Sequence, residues 1–595
     1  MATEQKVLRK TFKGGSFLIE QANPQDIFTP EDFTEEHLMI AQTTEEFVEN
    51  EVMPRIDDIE HQKLEVTVDL LRKAGDLGLL SVEIPEKFGG LGLDKMSVML
   101  VTEKITAYGS FAVSHGGHTG IGTGPIALFG TEAQKAKYLP KFATGELLSS
   151  YALTEAGSGS DALAAKATAV LSEDGKYYVL NGEKMWITNA GFADVFITFA
   201  KIDGDKFSCF IVEKDMPGVS TGAEEKKMGI KGSSTRVLLL DNVKVPVENL
   251  LGEVGKGHKI AFNILNFGRF KLGAGAVGGA KHAITDAVKY ANQRFQFEKP
   301  ISSFGAIKHK IGEMAIQTWV LESMVYRTAG MIDSRLEGVD RDDTKATMDA
   351  VEEYAIECSI MKVFGSEVLD FVVDEEVQIH GGYGYSAEYP AERAYRDSRI
   401  NRIFEGTNEI NRMLIPGMLL KRAMKGELAL MPAAMKLMDE VMGFPELGEE
   451  DDTLLAAERK IVVNAKKIAL LVAGTGVQKF MNKISDEQEI LMHIADIIME
   501  TYAMESAVLR TIRINDELGS AKAAIYNDVT RTFINDSIAR IDFSAKQALA
   551  AITDGDELRT LLAALRRFTK YTPINTVKTR QAVADKLIDA NKYAL

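Results

Sequence analysis

Glu405 follows Ile403 and Phe404 and precedes Gly406-Thr407, so a carboxylate sits among apolar neighbours at what reads as a helix entrance. Thr407 is a helix-capping residue type, here ahead of a short helix carrying Ile410, Met413 and Leu414. Desolvation at such a place raises a carboxyl pKa and strengthens it as a base, which suits removal of a weakly acidic C–H proton. A solvated loop glutamate fits the same residues, and for Glu405 alone it is the favoured reading. Upstream stand Gln378, Gly381-Gly382-Tyr383-Gly384-Tyr385, Glu388-Tyr389-Pro390 and Arg396-Asp397. So many specified residue types within about thirty positions are unusual for a connector.

Three other segments could bind a ligand. Tyr151-Ala152-Leu153-Thr154-Glu155 leads into Gly157-Ser158-Gly159-Ser160-Asp161, a turn dense in hydroxyls and backbone N–H groups that either holds a phosphate or only turns. Trp186-Ile187-Thr188 lies in a strand after Asn181-Gly182, where an aromatic face and a hydroxyl would suit a flat ring, although a lone Trp in a strand is more often core. The run His115 to Gly124 is an anion-binding loop or a helix packed closely on another chain or a slender ligand.

Other chemistries find no support. Gly273-Ala274-Gly275-Ala276-Val277-Gly278 matches a dinucleotide fingerprint, but it lies inside a helical pattern with no strand before it, so close helix packing is the better reading. P-loop, HExxH and GxSxG patterns are absent, nine His are scattered without metal spacing, and Cys209 and Cys358 form no CxxC pair. No metal is expected, and a reducing cytoplasm is the expected setting.

The elements that position these residues follow from periodicity. The 595 residues suit about four compact units. They are read as an N-terminal segment 1–28, a helical domain 29–150, a β domain 151–258, a helical bundle 259–422, a linker 423–452 and a C-terminal helical domain 453–595. Ser485 and Gln488 read as the capping pair of one of the last helices. A net charge of −17 disfavours nucleic acid and anionic lipid. Apolar stretches such as Ile468 to Gly474 fall short of the roughly 18 residues a membrane span needs, so none is expected. Leu428 to Met442, with Met431, Met435, Met438 and Met442, is a membrane-surface helix or, more often for such a pattern, a core or dimer contact.

Taken together, Tyr151 to Asp161, Lys184 to Asn189, Arg269, Arg294 to Phe297 and Gln378 to Thr407 resemble the signature set of the acyl-CoA dehydrogenase family, over roughly Phe33 to Leu420. The residues after Leu420 resemble its extended very-long-chain branch. The resemblance implies a mainly α fold: a helical domain, a central antiparallel β domain, a four-helix bundle and a C-terminal helical domain. It also implies FAD, lined by Tyr151, Leu153, Thr154, Gly159, Ser160, Trp186, Ile187 and Thr188, with the Thr188 hydroxyl near flavin N5. Thr407 and Glu409 are further cofactor contacts that the resemblance implies. Arg294, Phe297, Gln378, Gly381 and Gly382 would reach the cofactor of the neighbouring subunit in a homodimer or dimer of dimers.

The implied reaction converts a fatty acyl-CoA to trans-2-enoyl-CoA. Glu405 takes the α-proton, the β-hydrogen leaves as hydride, and electrons pass to electron-transfer flavoprotein. The Glu405 backbone N–H and a flavin hydroxyl would steady the thioester oxygen. Ser160, Phe267, Arg269 and Gly406 are the implied substrate contacts. A minority of the family carries its base just before the bundle arginine, and that position is Gly268 here, which leaves Glu405. The small residues Gly116 to Gly124 imply a deep acyl tunnel and long chains. Ala156, Glu298 and Lys308 depart from the usual pattern, near the dimer seam. The related acyl-CoA oxidases and flavin monooxygenases, or an assembly protein keeping the fold, are the alternatives.

Overall fold

The computed structural model describes residues 9–340, 343–443 and 453–595. Its spine is the 37-residue helix Gly257–Gln293, which packs along the helices Lys95–Ile105, Gly305–Leu336 and Ala355–His380. Small residues permit that closeness. A Cβ on Gly278 would lie 1.8 Å from the Glu103 carbonyl, and one on Gly273 would lie 3.0 Å from Met361 Cβ. The glycine-rich stretch therefore serves helix packing, and no strand precedes it as a dinucleotide site requires.

The N-terminal helices include Glu35–Phe47, Leu64–Asp76, Lys95–Ile105 and Glu132–Thr144. Thr131 caps the last of these, with its hydroxyl accepting from Gln134 N while the Gln134 side chain returns to Thr131 N. The chain then enters a sheet of eight strands between Ser149 and Leu251, whose inner face buries Phe196, Phe210, Leu238 and Val243. Most pairings are antiparallel, as expected. Val195–Ile202, however, pairs parallel with Ser149–Ala152 and with Thr168–Leu171, so the sheet is mixed. The strand Tyr177–Thr188 loses register against Thr235–Pro246 between Lys184 and Ile187.

The region read as a linker over 423–452 contains the helix Leu430–Met442. Pro432 sits in its first turn, where a missing N–H costs nothing. The remainder, 444–452, lies outside the described residues, as does 1–8 of the N-terminal segment. The helices Ala456–Phe480, Gln488–Leu518, Ser520–Ile552, Gly555–Phe568 and Thr576–Ala590 follow. Ser485 does not cap Gln488–Leu518, because it falls in the tight turn Met481–Asp486 and Glu487 takes the cap position. Contrary to expectation, Ala456–Asp486 is long and apolar enough to cross a membrane by length and composition, yet its Ile461, Ala465, Ile468 and Val472 are packed in the core.

Buried charge pairs join this last unit to the bundle. Arg510 donates to Glu322 at 2.7 Å, and Arg327 donates to Glu505 at 2.7 Å. Residues 9–32 thread between the two: Tyr354 donates to the Phe12 carbonyl at 2.7 Å, Gly15 N to Glu357 at 2.7 Å, and Lys466 to the Glu20 carbonyl at 2.8 Å.

Candidate active site

Glu405 lies just before the helix Asn408–Met424, and Thr407 caps that helix by accepting from Ile410 N at 3.2 Å. The helix runs for 17 residues, longer than the short one the sequence suggested. Glu405 and Gly406 both adopt left-handed backbone, with φ of 59° and 81°. For a glutamate this costs about 1–3 kcal/mol, so neighbouring groups must hold it. Arg269 Nε donates to the Glu405 carbonyl at 3.1 Å, and Asn411 Nδ2 donates to the carbonyls of Gly406 at 2.8 Å and Thr407 at 3.0 Å. Asn266 in turn accepts from Arg269 Nη1 at 3.1 Å.

The residue is partly exposed as a whole, but its Oε2 is enclosed and makes no hydrogen bond. Burial pushes the carboxyl up to about 7, although Arg269 and Lys362 pull it back. Lys362 is itself brought down to about 8 by burial, and its ammonium donates to Asn408 Oδ1 at 2.7 Å. The Glu405 backbone N–H donates to no protein acceptor among the described residues.

Two cavities meet at this carboxylate. The larger, about 1,530 Å³, runs between the β domain and the bundle and is lined by Tyr151, Leu153, Thr154, Gly159, Ser160, Trp186, Ile187, Thr188, Arg269, Gly406 and Thr407. The smaller, about 250 Å³, continues from Glu405 and Thr188 past Gly116 and Gly120 into the helical core. Trp186 is not core. The register shift gives it a φ of 61° and leaves it 54% exposed on the wall of the larger cavity, as a bulge does when it re-aims a side chain. A buried ion pair secures the adjoining segment Leu153 to Glu155: Lys184 Nζ meets Glu155 Oε1 at 2.7 Å and also donates to the Leu153 carbonyl at 3.2 Å. Glu155 additionally accepts from Lys166 N at 2.6 Å and Ala167 N at 3.1 Å.

Some residues singled out from sequence lie elsewhere. Phe267 is buried in the helical core under the Lys95 ammonium and lines neither cavity. Consecutive helix positions point about 100° apart, so when Gly268 and Arg269 face the site Phe267 turns away. Glu409 is exposed in the first turn after Thr407 and lines neither cavity. Arg294, Gly381 and Gly382 edge a separate surface hollow of about 620 Å³. Gln378 is exposed on the same helix end, and Phe297 is 87% exposed on the hairpin Phe295–Pro300. None of these five lines the cavities at Glu405 within this chain. Sequence reasoning missed Asn266, which bonds Arg269 on its own helix, Asn411, which reaches back to the carbonyls just before its helix, and Lys362, whose partner Asn408 lies on another helix. Their only signal was a polar residue at a buried helix position.

Comparison with known proteins shows the family of the chain. Family models described as acyl-CoA dehydrogenase N-terminal, middle and C-terminal domains match residues 34–146, 150–243 and 255–420, and a further C-terminal domain model of that family matches 464–567. The chain is 55% identical over 587 residues to a probable acyl-CoA dehydrogenase of Bacillus subtilis (strain 168), covering 98% of each protein. It is 37% identical over 485 residues to the mitochondrial very long-chain specific acyl-CoA dehydrogenase of Rattus norvegicus, covering 77% of this chain and 72% of that protein. A crystal structure of an acyl-CoA dehydrogenase complexed with FAD from Bacillus anthracis superposes with a TM-score of 0.96 at 54% identity, covering 98% of this chain and 100% of that one. The chain therefore belongs to the acyl-CoA dehydrogenase family, in its extended very-long-chain-type branch.

Proposed function

We propose that this protein dehydrogenates long-chain fatty acyl-CoA thioesters between Cα and Cβ, with FAD as cofactor and Glu405 as the base. The residues present fit that cofactor. The Trp186 indole is open on the cavity wall, the Tyr151 hydroxyl is enclosed without a partner, and side chains added at Gly157 or Gly159 would meet only open space. Trp186 and Thr188 would flank the ring system, and the turn Leu153 to Ser160 would receive its polar portion. Bound FAD supplies the acceptor for the β-hydrogen, which leaves the substrate as hydride.

The single observation that carries the reading is an enclosed, unpartnered carboxylate at the junction of two cavities. Glu405, with a pKa near 7, is ionised often enough to act and basic enough to take the α-proton. Its own backbone N–H, held in place by Arg269 and Asn411 through the neighbouring carbonyls, is free to donate to the thioester oxygen as charge builds there. The smaller cavity takes the acyl chain away from water and, by its length along the core, favours long chains. Electron-transfer flavoprotein is the expected electron acceptor. In a homodimer, Arg294, Gly381 and Gly382 would complete the cofactor site of the neighbouring subunit.

Anaerobic titration of the flavoprotein with palmitoyl-CoA tests this. Loss of the oxidised-flavin absorbance that persists after air is admitted supports a dehydrogenase. Fast recovery with peroxide would indicate an oxidase, and no bleaching by any acyl-CoA would refute the substrate class.

A further inference from the structure

The smaller cavity follows one face of the helix Gly257–Gln293, touching Gly268 beside Glu405, then Gly275, Gly279 and finally Asp286. The eighteen positions from Gly268 to Asp286 span about 27 Å at 1.5 Å each. The cavity thus extends from Glu405 along about half of this helix.

The far end of that cavity is polar. Glu376, on the helix Ala355–His380, lines it there, is only 1% exposed, and leaves Oε2 without any hydrogen-bond partner. Asp286 and Arg393 line the same end. A hydrocarbon terminus would leave the Glu376 carboxyl unsatisfied, at a cost of about 1–3 kcal/mol. Burial and the nearby Asp286 push that carboxyl well above its usual range, against the opposing pull of Arg393, which favours the neutral form that can both donate and accept.

We infer that the cavity ends in a subsite for a terminal hydroxyl, with Glu376 as the specificity-determining residue, so that ω-hydroxylated long-chain acyl-CoA thioesters are favoured over plain ones. This rests on the acyl-CoA dehydrogenase reading above and narrows its substrate. A hydroxyl matches a neutral acid in both directions. A terminal carboxylate would face Asp286 at like charge, and a terminal ammonium would shed its water next to Arg393.

The test compares kcat/KM of the holoenzyme for ω-hydroxyoctadecanoyl-CoA, octadecanoyl-CoA and octadecanedioyl-CoA, in wild type and in Glu376→Leu and Glu376→Gln. The wild type is expected to prefer the hydroxylated tail over both others by at least about tenfold, mostly through KM. Glu376→Leu should bring the hydroxyl-to-methyl ratio to about one or below, whereas Glu376→Gln, which still donates and accepts, should keep most of it. Equal use of hydroxyl and methyl tails by the wild type, a preference for the dicarboxylate, or selectivity that survives in Glu376→Leu would overturn the subsite. The wild-type comparison decides even where a variant does not fold. Failure of all three thioesters and of octanoyl-CoA to react would instead overturn the assigned reaction, and the subsite with it.

Discussion

The Glu405 carboxylate rests on the bare α-carbon of Gly268: a Cβ built there would lie 2.4 Å from Oε2 and 2.6 Å from Cδ. The proposed base thus fills the space that a side chain at 268 would take. Gly268 precedes Arg269, which holds the Glu405 carbonyl, so two consecutive helix residues set both the backbone and the carboxylate of Glu405.

Gly268→Ala follows directly. The carboxylate would swing away from the methyl group, and displacement of about 1 Å from a reactive geometry costs on the order of 10²-fold in rate. The helix itself gains, since Ala is favoured over Gly by up to about 1 kcal/mol. The variant should therefore show kcat down about 100-fold with a Tm equal to or above that of wild type. Wild-type turnover in this variant would mean that the carboxylate leaves Gly268 before it reacts.

What could be read from sequence and what could not divides along chain separation. Thr407 as a cap is a local feature and stands in the structure, whereas Glu405, whose own residues favoured a solvated loop, is desolvated there. The contact of Glu405 with Gly268 joins positions far apart in the chain, and no periodicity encodes it. Trp186 left the core reading because a register shift, set by pairing with Thr235–Pro246, turned it outward. Phe267 went astray because helix rotation separates it from Gly268, while the Met spacing over 428–442 did reveal the helix Leu430–Met442 inside the segment read as a linker.

Gly116 offers a handle on chain length. It ends the helix Gly109–Gly116 with an ordinary helical backbone, lines the smaller cavity, and a Cβ added there would meet nothing within 4 Å. Gly116→Val should therefore fold and place its methyls in the cavity. The ratio of kcat/KM for octadecanoyl-CoA to that for butyryl-CoA is expected to drop by at least about tenfold. An unchanged length profile would show that the acyl chain takes another route.

Lys184→Met probes the wall that the cofactor would touch. Lys184 is fully buried, and removing its charge leaves Glu155 enclosed with only backbone donors. Breaking such a pair by deleting one partner costs roughly 3–5 kcal/mol. Burial raises the Glu155 carboxyl, but Lys184 and the Lys166 and Ala167 N–H groups together bring it below its usual value. Its contribution is thus present above the unfolded carboxylate value of about 4.3 and is lost as pH falls through the lower folded value. The variant should melt earlier at pH 7 and lose flavin on gel filtration, and the gap to wild type should narrow in acid. A pH-independent difference in Tm would argue that packing, not the charge pair, is at stake.

Glu405→Gln should move activity and stability in opposite directions. Without the base, turnover is expected to fall by at least about 10³-fold, a general-base-sized loss, while flavin stays bound. The wild-type carboxyl titrates near 7 when folded and near 4.5 in its ordinary setting. Between those values the folded state binds more protons, so wild-type stability declines as pH rises through this window. Glutamine carries no charge to desolvate and escapes that decline. In the flavin-stripped protein, Glu405→Gln should therefore equal wild type near pH 4.5 and exceed it by up to about 3 kcal/mol at pH 8. Denaturant unfolding at the two pH values measures this, and a constant difference between them would mean that Glu405 is not held in a desolvated site. The same burial that would suit Glu405 to act as a base thus lowers the stability of the fold as pH rises.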